Sequence, residues 1–569
     1  MVMFSIFALF FMGSVCRALV IVDLTGQDGP TTLAALTCVG LFNRDSNNDT
    51  IAGPAYSLMD PSDTQWLALV GRAQPASTPL DAFMKICLTK TAVSKGYIRY
   101  NFTSQQQIIP NIVTLAAILD AVPLQDNSPY LRLGMPLRFD ALEIFGTNVT
   151  PSDATSYVFD GYGNLTTTMS MMNPGYMPDG TIPGDMNPPL TGQPNLGLTD
   201  FIVKRRLFNF YMNNACVDGT ADNALMERMV QTAKWWPRPT PVYGYNNEWP
   251  IFGGDIYEAE TNCVKEHTLG QIASDGVNNL AYWSRTPAIR TPLRQNREPA
   301  LLFNQSKVYV SLVVGDGDNV GYLKTTRTHW MMDRVTRCQN DPSNKGCFPL
   351  LWSMQPHTLR LAPDWLMWYV NQTYLTKNDY LCMPPSGYLY SYPSLMASDV
   401  QQSFVQLVEE DAKMMNLSSV VTWETVGAWS NAFSNYYPRY TANGVARAFF
   451  TVNVPFMVPI LEFGFSFNKV LQGPKPVVMF RPSEWRGTSN NSIPPFSQAN
   501  YLTPQQMADQ FNGYPGGTAT HIYLTSDGGA SLDTLYQFVA LLGEHVQVVG
   551  ANQLVDMALA ANNITKGEN

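Results

Sequence analysis

The chain has 569 residues, 45% hydrophobic and 12% aromatic but only 14% charged, with a net charge of −9. That length exceeds what one core can organise and predicts three or four domains of roughly 150 residues each. The acidic balance leaves no basic patch to neutralise phosphates, which argues against nucleic acid as a partner; the low charge, against about 25% in an average domain, fits a loop-rich extracellular protein.

Residues 1–18, MVMFSIFALFFMGSVCRA, predict a cleaved secretory signal peptide. The apolar run Val2–Met12 is too short to span a bilayer, and Cys16 and Ala18 place small residues at the −3 and −1 positions of a cleavage site. No later stretch holds about 18 uninterrupted apolar residues, so no integral membrane span is expected. Nine N-x-S/T sequons, at Asn48, Asn101, Asn148, Asn164, Asn304, Asn371, Asn416, Asn490 and Asn563, point to a glycosylated, secreted protein. In an oxidising compartment neighbouring cysteines pair, which gives Cys38–Cys87, Cys216–Cys263 and Cys338–Cys347 as the simplest set. Cys382 is left inside an apolar strand, where it reads as a free buried thiol. No C-x-x-C pair occurs, which argues against a zinc or redox role.

Residues 19–100 open with LVIVDLTG and a helical run at Thr31–Leu41, and predict a first small α/β domain. Residues 101–195 carry a helix at Ile112–Ala121 and thin into NPGYMPDGTIPGDMNPPLTGQPN, a linker or long surface loop; they form the second. The third, 196–298, has helices near Asp200–Asn213 and Ala221–Lys234 and a strand at Thr240–Tyr245. It ends in a polar stretch, Arg285–Glu298.

The fourth domain, 299–562, opens on KVYVSLVVGDGDN. A continuous apolar run, Val308–Val314, is what a strand buried on both faces looks like, and Gly315-Asp316-Gly317-Asp318-Asn319 then supplies a turn with two carboxylates. Further strand-like runs follow at Phe348–Met354, Asp379–Met383, Ser419–Glu424, Arg447–Val452, Pro476–Arg481, His521–Thr525 and Val546–Val549. Helical stretches separate most of them, notably Asp399–Asn416, with Ser398 and Gln401 as a capping box, and one opening at Thr503-Pro504. Alternating β and α units imply parallel strands joined by crossovers, and eight units in about 250 residues is the size of a (β/α)8 barrel. An open doubly wound sheet is the alternative, without a G-x-G-x-x-G turn to favour it. The expected fold class is therefore α/β, a C-terminal (β/α)8-like barrel preceded by about three small α/β domains.

Pro384–Pro393 reads PPSGYLYSYP. With Asp316-Gly317-Asp318-Asn319 before it and Trp352-Ser353-Met354-Gln355-Pro356 between, the domain resembles the GxGYxYP putative glycoside hydrolase family. Gly387, Tyr390, Tyr392 and Pro393 match the naming motif; Leu389 stands where its second Gly belongs. The resemblance implies a secreted carbohydrate-active barrel, and the upstream stretches PVYGYNNEW and IASDGVNNLAYW are similar in character to that family's N-terminal domains.

Glycoside hydrolysis needs two carboxyl groups across the scissile bond. In a barrel they belong at the C-terminal ends of strands, where Asp316, Asp318 and Glu424 are the candidates for acid, base or nucleophile. The competing reading of Asp316, Asp318 and Asn319 is a turn whose side chains bond their own backbone. Glu424 closes a buried strand at a place where a turn former would be Asp, Asn or Gly. Glu462, Glu484 and Asp527 are weaker; Arg481 can pair with Glu484 as a structural ion pair, and Asp527 precedes Gly528-Gly529. Aromatic rings stack on sugars, so Asn319, Trp352, Gly387, Tyr390, Tyr392, Trp423, Glu484 and Trp485 are assigned to the substrate subsite, with Tyr388 and Trp429 on the same predicted face. The five histidines show no H-x-x-x-H spacing and no G-x-S-x-G occurs, so neither a metal, a cofactor nor a serine triad is expected. The sequence reads as a glycoside hydrolase acting on an extracellular carbohydrate. Its rival is a non-catalytic glycan-binding or cell-surface structural protein with an inactive barrel, which Leu389 favours.

Overall fold

The computed structural model describes residues 19–44, 54–172, 196–212, 215, 218–233, 239–245, 269–274, 276–424, 427–452, 464–481, 484–487, 501–525 and 531–564. The expected signal peptide, the 173–195 linker and the Cys216–Cys263 pair lie outside them.

The N-terminal half builds three small parallel sheets. Val20–Asp23 (β1) pairs with Ala55–Leu58 (β2). The helix between them, Gly29–Phe42, starts where Asp28 accepts from the Thr31 amide and Pro30 sits in the first turn, both ordinary start signals. A disulfide joins Cys38 of this helix to Cys87. Gly96–Tyr100 (β3) lies between Ala121–Gln125 (β4) and Leu137–Asp140 (β5). Met169–Met172 (β6) pairs with Phe208–Phe210 (β7) and Thr240–Tyr245 (β8), and β8 with Leu269–Ile272 (β9). The second sheet thus joins strands from either side of residue 100, the third from either side of residue 195.

In the C-terminal half every residue of Val308–Val314 (β10) is buried, as its uninterrupted apolarity requires. One edge pairs with Ala519–Leu524 (β18); the other pairs with Val546–Val548 (β19) near its start and with Leu350–Ser353 (β11) near its end. Asp379–Cys382 (β12) follows β11. A parallel bridge, Met383 to Val420, leads to Ser419–Thr422 (β13), then Ala448–Thr451 (β14), Val477–Phe480 (β16) and the antiparallel Asn468–Leu471 (β15). All eight expected strands are present, with β15 and the two-residue Glu484–Trp485 (β17) in addition.

The closed (β/α)8-like barrel is not shown. The ladders run from β17 through β18, β10, β11, β12, β13, β14 and β16 to β15, and among the described residues they do not return to their start. The reason lies in β16. A strand has two edges, and β14 and β15 occupy both, so β17 pairs with β18 instead. Side chains span the opening: Asn468 Nδ2 donates to the Ala519 carbonyl at 3.0 Å, and His521 Nε2 lies 3.1 Å from the Thr451 carbonyl. The second expected disulfide that the described residues include, Cys338–Cys347, is formed, and Cys382 is free and buried. The helix expected at Thr503-Pro504 is present, and it starts on a capping box between Thr503 and Gln506 that was not expected. The capping box expected at Ser398 is not formed: Ser398 is already helical, and Gln401 Nε2 donates to the Ser394 and Met396 carbonyls.

Two buried joints seat the N-terminal sheets on the C-terminal domain. Asn278 and Asn279 bond Ser57 and Asp63, and Lys324 Nζ lies 2.8 Å from both Asp60 and Asp63. β9 also pairs with the loop after β12, through Gln271 N to Tyr390 O at 2.9 Å and Tyr390 N to Gln271 O at 3.0 Å.

Candidate functional site

The turn after β10 is shaped by what its glycines leave room for. A Cβ at Gly315 would sit 2.3 Å from the Tyr523 ring, and one at Gly317 would sit 1.9 Å from the Ser353 carbonyl oxygen. Between them Asp316 takes a left-handed backbone with φ of 55°, uncommon for a residue with a side chain and worth a functional question. The Tyr523 hydroxyl holds it, accepting from the Asp316 amide at 2.7 Å and donating to Oδ1 at 3.1 Å. Asp318 is 9% exposed and its carbonyl accepts from Gln355 Nε2. Asn319 caps the helix Val320–Lys324, its Oδ1 accepting from the Gly321 and Tyr322 amides, which is the work of an N-cap rather than of the substrate contact expected for it.

Beneath the turn lies Arg327, which no motif marks. It is wholly buried, its Nη1 donates to the Gly315 carbonyl and to Ser353 Oγ, and it lies over the Trp352 ring at 5.6 Å. Burial lowers its pKa, opposed by the phenols of Tyr369 and Tyr523 and by the Asp316 carboxylate. Trp352 is 0% exposed and donates to Asp379 Oδ2. It packs the sheet and offers no face to a sugar. Trp485 is likewise 0% exposed, with its Nε1 on the Leu502 carbonyl and its ring against Phe538. Glu484 is described through its backbone, which pairs with Tyr523. Arg481, its expected partner, donates to the Ser466 carbonyl. Glu462 and Asp527 lie outside the described residues.

Glu424 ends the β13 segment and is 0% exposed. Ser394 Oγ donates to Oε2 at 2.6 Å and the Tyr437 hydroxyl to Oε1 at 3.4 Å; Tyr437 also meets Thr422 Oγ1 at 2.5 Å. Burial and then the Glu424 charge push the Tyr437 phenol far above its ordinary range. One residue earlier, the Trp423 ring meets two rings of the signature loop, 4.6 Å from Tyr390 and 5.0 Å from Tyr392, centroid to centroid. The strand-end loops therefore bring Trp423, Glu424, Tyr390 and Tyr392 together, with Ser394 and Tyr437 as partners that no motif marked. Gly387, at φ of 97°, faces the Val408 side chain, which a Cβ would meet at 2.9 Å. Leu389 is 0% exposed and packs on Gly270 of β9, where a Cβ would come within 2.5 Å of its own. The departure from the motif is thus absorbed at a joint between sheets.

Fold and site together define an α/β protein whose last domain gathers buried acids and aromatic rings at the ends of parallel strands. Residues 306–559 match the family model described as GxGYxYP putative glycoside hydrolase C-terminal domain, and this domain belongs to that family. Nearly the whole chain, 97%, superposes on 96% of a crystal structure of a putative hydrolase from Bacteroides thetaiotaomicron VPI-5482, with a TM-score of 0.72 at 18% identity, which establishes a shared fold. A putative polysaccharide deacetylase from Mycobacterium smegmatis covers 49% of this chain and 98% of its own at a TM-score of 0.32 and 13% identity. No curated protein matches the chain.

Proposed function

We propose that the protein is a secreted glycoside hydrolase that cleaves an extracellular carbohydrate, with Asp316, Asp318 and Glu424 supplying the paired carboxyl chemistry. The observation that carries this reading is the strand end at which Glu424, bonded to Ser394 of the signature loop, follows Trp423, whose ring meets Tyr390 and Tyr392 of the same loop. Aromatic faces beside a carboxyl are what sugar binding and glycosidic cleavage require. The left-handed Asp316, held by Tyr523 and underlain by Arg327, is the second acid. Secretion and glycosylation fit the surface: of the sequon asparagines within the described residues, Asn148, Asn164, Asn304, Asn371, Asn416 and Asn563 are exposed and Asn101 is half-buried. The Cys38–Cys87 and Cys338–Cys347 disulfides accord with an oxidising compartment.

The test is release of reducing ends from a panel of plant, microbial and animal polysaccharides, with Asp316→Asn and Glu424→Gln alongside the parent. Loss of turnover with binding retained supports the assignment; unaltered turnover in both variants refutes the named acids. A non-catalytic glycan-binding protein is the second reading, favoured by the complete burial of Glu424 and by Leu389 in the signature. Binding without turnover by the parent on every polysaccharide selects it.

A further inference from the structure

A cavity of about 740 Å³ opens between the third N-terminal sheet and the loops that follow β11 and β12. Its volume falls within the range of small-ligand sites, and its lining is unusual for a chain with a net charge of −9. Arg44, Lys204, Arg205, Arg206 and Arg360 all border it, against Glu410 and Asp411. Two of the cations share one carboxylate: Asp120 Oδ1 accepts from Arg44 and, at 3.3 Å, from Arg206. Burial and then repulsion from Arg206 pull the Arg44 pKa down to about 9. Arg360 is matched by Asp411 at 2.8 Å.

The rest of the lining suits a ligand with an apolar face and hydroxyls. Tyr243 and Tyr388 contribute rings, and the Tyr243 phenol lies in the field of both Arg205 and Arg360. His357 is 4% exposed and neutral, its pKa lowered to about 3 by burial and by Arg360. Its Nε2 has no hydrogen-bond partner among the described residues. A buried polar atom left so is costly unless something fills the place. A sugar hydroxyl, which both donates and accepts, satisfies it in either tautomer.

We infer that this cavity binds an acidic saccharide, a pyranose carrying a carboxylate or a sulfate ester, with the anion on the Arg205–Arg206 side and the ring against Tyr243 and Tyr388. That the anion is carried on a sugar rests on the hydrolase reading; that an anion binds does not. His357 and Tyr388 follow β11 and β12, and β11 pairs with the strand that leads into the Asp316 turn.

Isothermal titration calorimetry of the full chain tests this with a tetragalacturonate, a sulfated neutral tetrasaccharide, an uncharged glucose tetrasaccharide and inorganic sulfate. One acidic sugar is expected to bind, and which one identifies the anion; its affinity falls as sodium chloride rises. Arg205→Gln with Arg206→Gln, both at exposed side chains, should weaken it about tenfold or more. Leu407→Trp, which fills the cavity without touching a charge, should abolish it. Equal affinity for the uncharged tetrasaccharide, equal affinity for inorganic sulfate, no binding of either acidic sugar, or unaltered binding in both variants overturns the proposal. Asp316→Asn keeps this binding whether or not it has lost turnover, so the two readings fail separately.

Discussion

Replacing Lys324 by Met tests whether the buried joint between the N-terminal sheets and the C-terminal domain holds the molecule as one cooperative unit. Lys324 is 1% exposed, and its ammonium lies 2.8 Å from Asp63, which is 0% exposed, and 2.8 Å from Asp60 at the rim. Methionine keeps the length of the side chain but leaves the Asp63 carboxylate without its counter-charge. Removing one partner of a buried pair costs about 3–5 kcal/mol. Asp63 still accepts from the Met59 and Asp60 amides and from Asn278 and Asn279, so the lower end, about 3 kcal/mol, is expected. The pH dependence has a definite sign. Burial acts to raise the Asp60 pKa, but Lys324 and the Ser62 hydrogen bonds outweigh it and the folded value is lowered. Asp60 therefore contributes stability above its unfolded pKa, about 3.9, that is lost as pH falls through the folded value; Lys324→Met shrinks this acid limb. Urea unfolding followed by tryptophan fluorescence across pH 3–7 reads both effects, with the variant unfolding earlier or in two separated transitions. Asp63→Asn in the same background should recover part of the loss, because it removes the orphaned charge. A variant with the parent's midpoint and acid limb would refute the reasoning.

Gly270→Ala places a methyl 2.5 Å from Leu389 Cβ; overpacking of this kind costs about 1–3 kcal/mol, and Leu389→Gly in the same chain should restore much of the thermal midpoint. Gly317→Ala drives a Cβ to within 1.9 Å of the Ser353 carbonyl, so the turn must shift. A destabilisation of about 3 kcal/mol with loss of turnover is expected, by denaturation and activity on any polysaccharide that the parent cleaves. His357 and His521 are both buried and held neutral by it, with pKa values lowered to about 3. Between the unfolded value near 6.5 and that limit the unfolded chain binds protons that the fold refuses, so stability falls on acidification by up to about 2.7 kcal/mol per pH unit for the pair and is unaffected by them above 6.5. A flat stability profile between pH 6 and 4 would contradict it.

The strands were legible because burial on both faces writes itself as unbroken apolarity: Val308–Val314 is a strand over the same seven residues in sequence and structure. What was not legible depended on edges. β15 buries only Leu471 of its four residues and β17 has two residues, so neither carries a signal, yet together they decide that the ladders do not close. Aromatic residues at strand ends could not be sorted by sequence either. All are buried: Trp352 and Trp485 pack against the sheet and Phe538, and Trp423 packs against Tyr390 and Tyr392, so only tertiary neighbours tell them apart. Ser394 and Tyr437 reach Glu424 from segments with no motif, and Arg327 is an arginine in a helix until the turn above it is seen.

The two most recognisable stretches turn out to share one physical task. The loop carrying Gly387, Leu389 and Tyr390 pairs its backbone with Gln271 and seats Leu389 on Gly270, while Asn278 and Asn279, eight residues further on, lock onto Ser57, Asp63 and Lys324. Both are places where separate sheets must approach closely, and close approach demands specific small or hydrogen-bonding residues. A signature built at such a joint reports an architecture: the N-terminal sheets lie against the ends of β11 and β12. That placement has a chemical consequence. It sets the basic edge of the third sheet across a cavity from the loops that follow β11 and β12, so a ligand held by those loops also meets the N-terminal sheets.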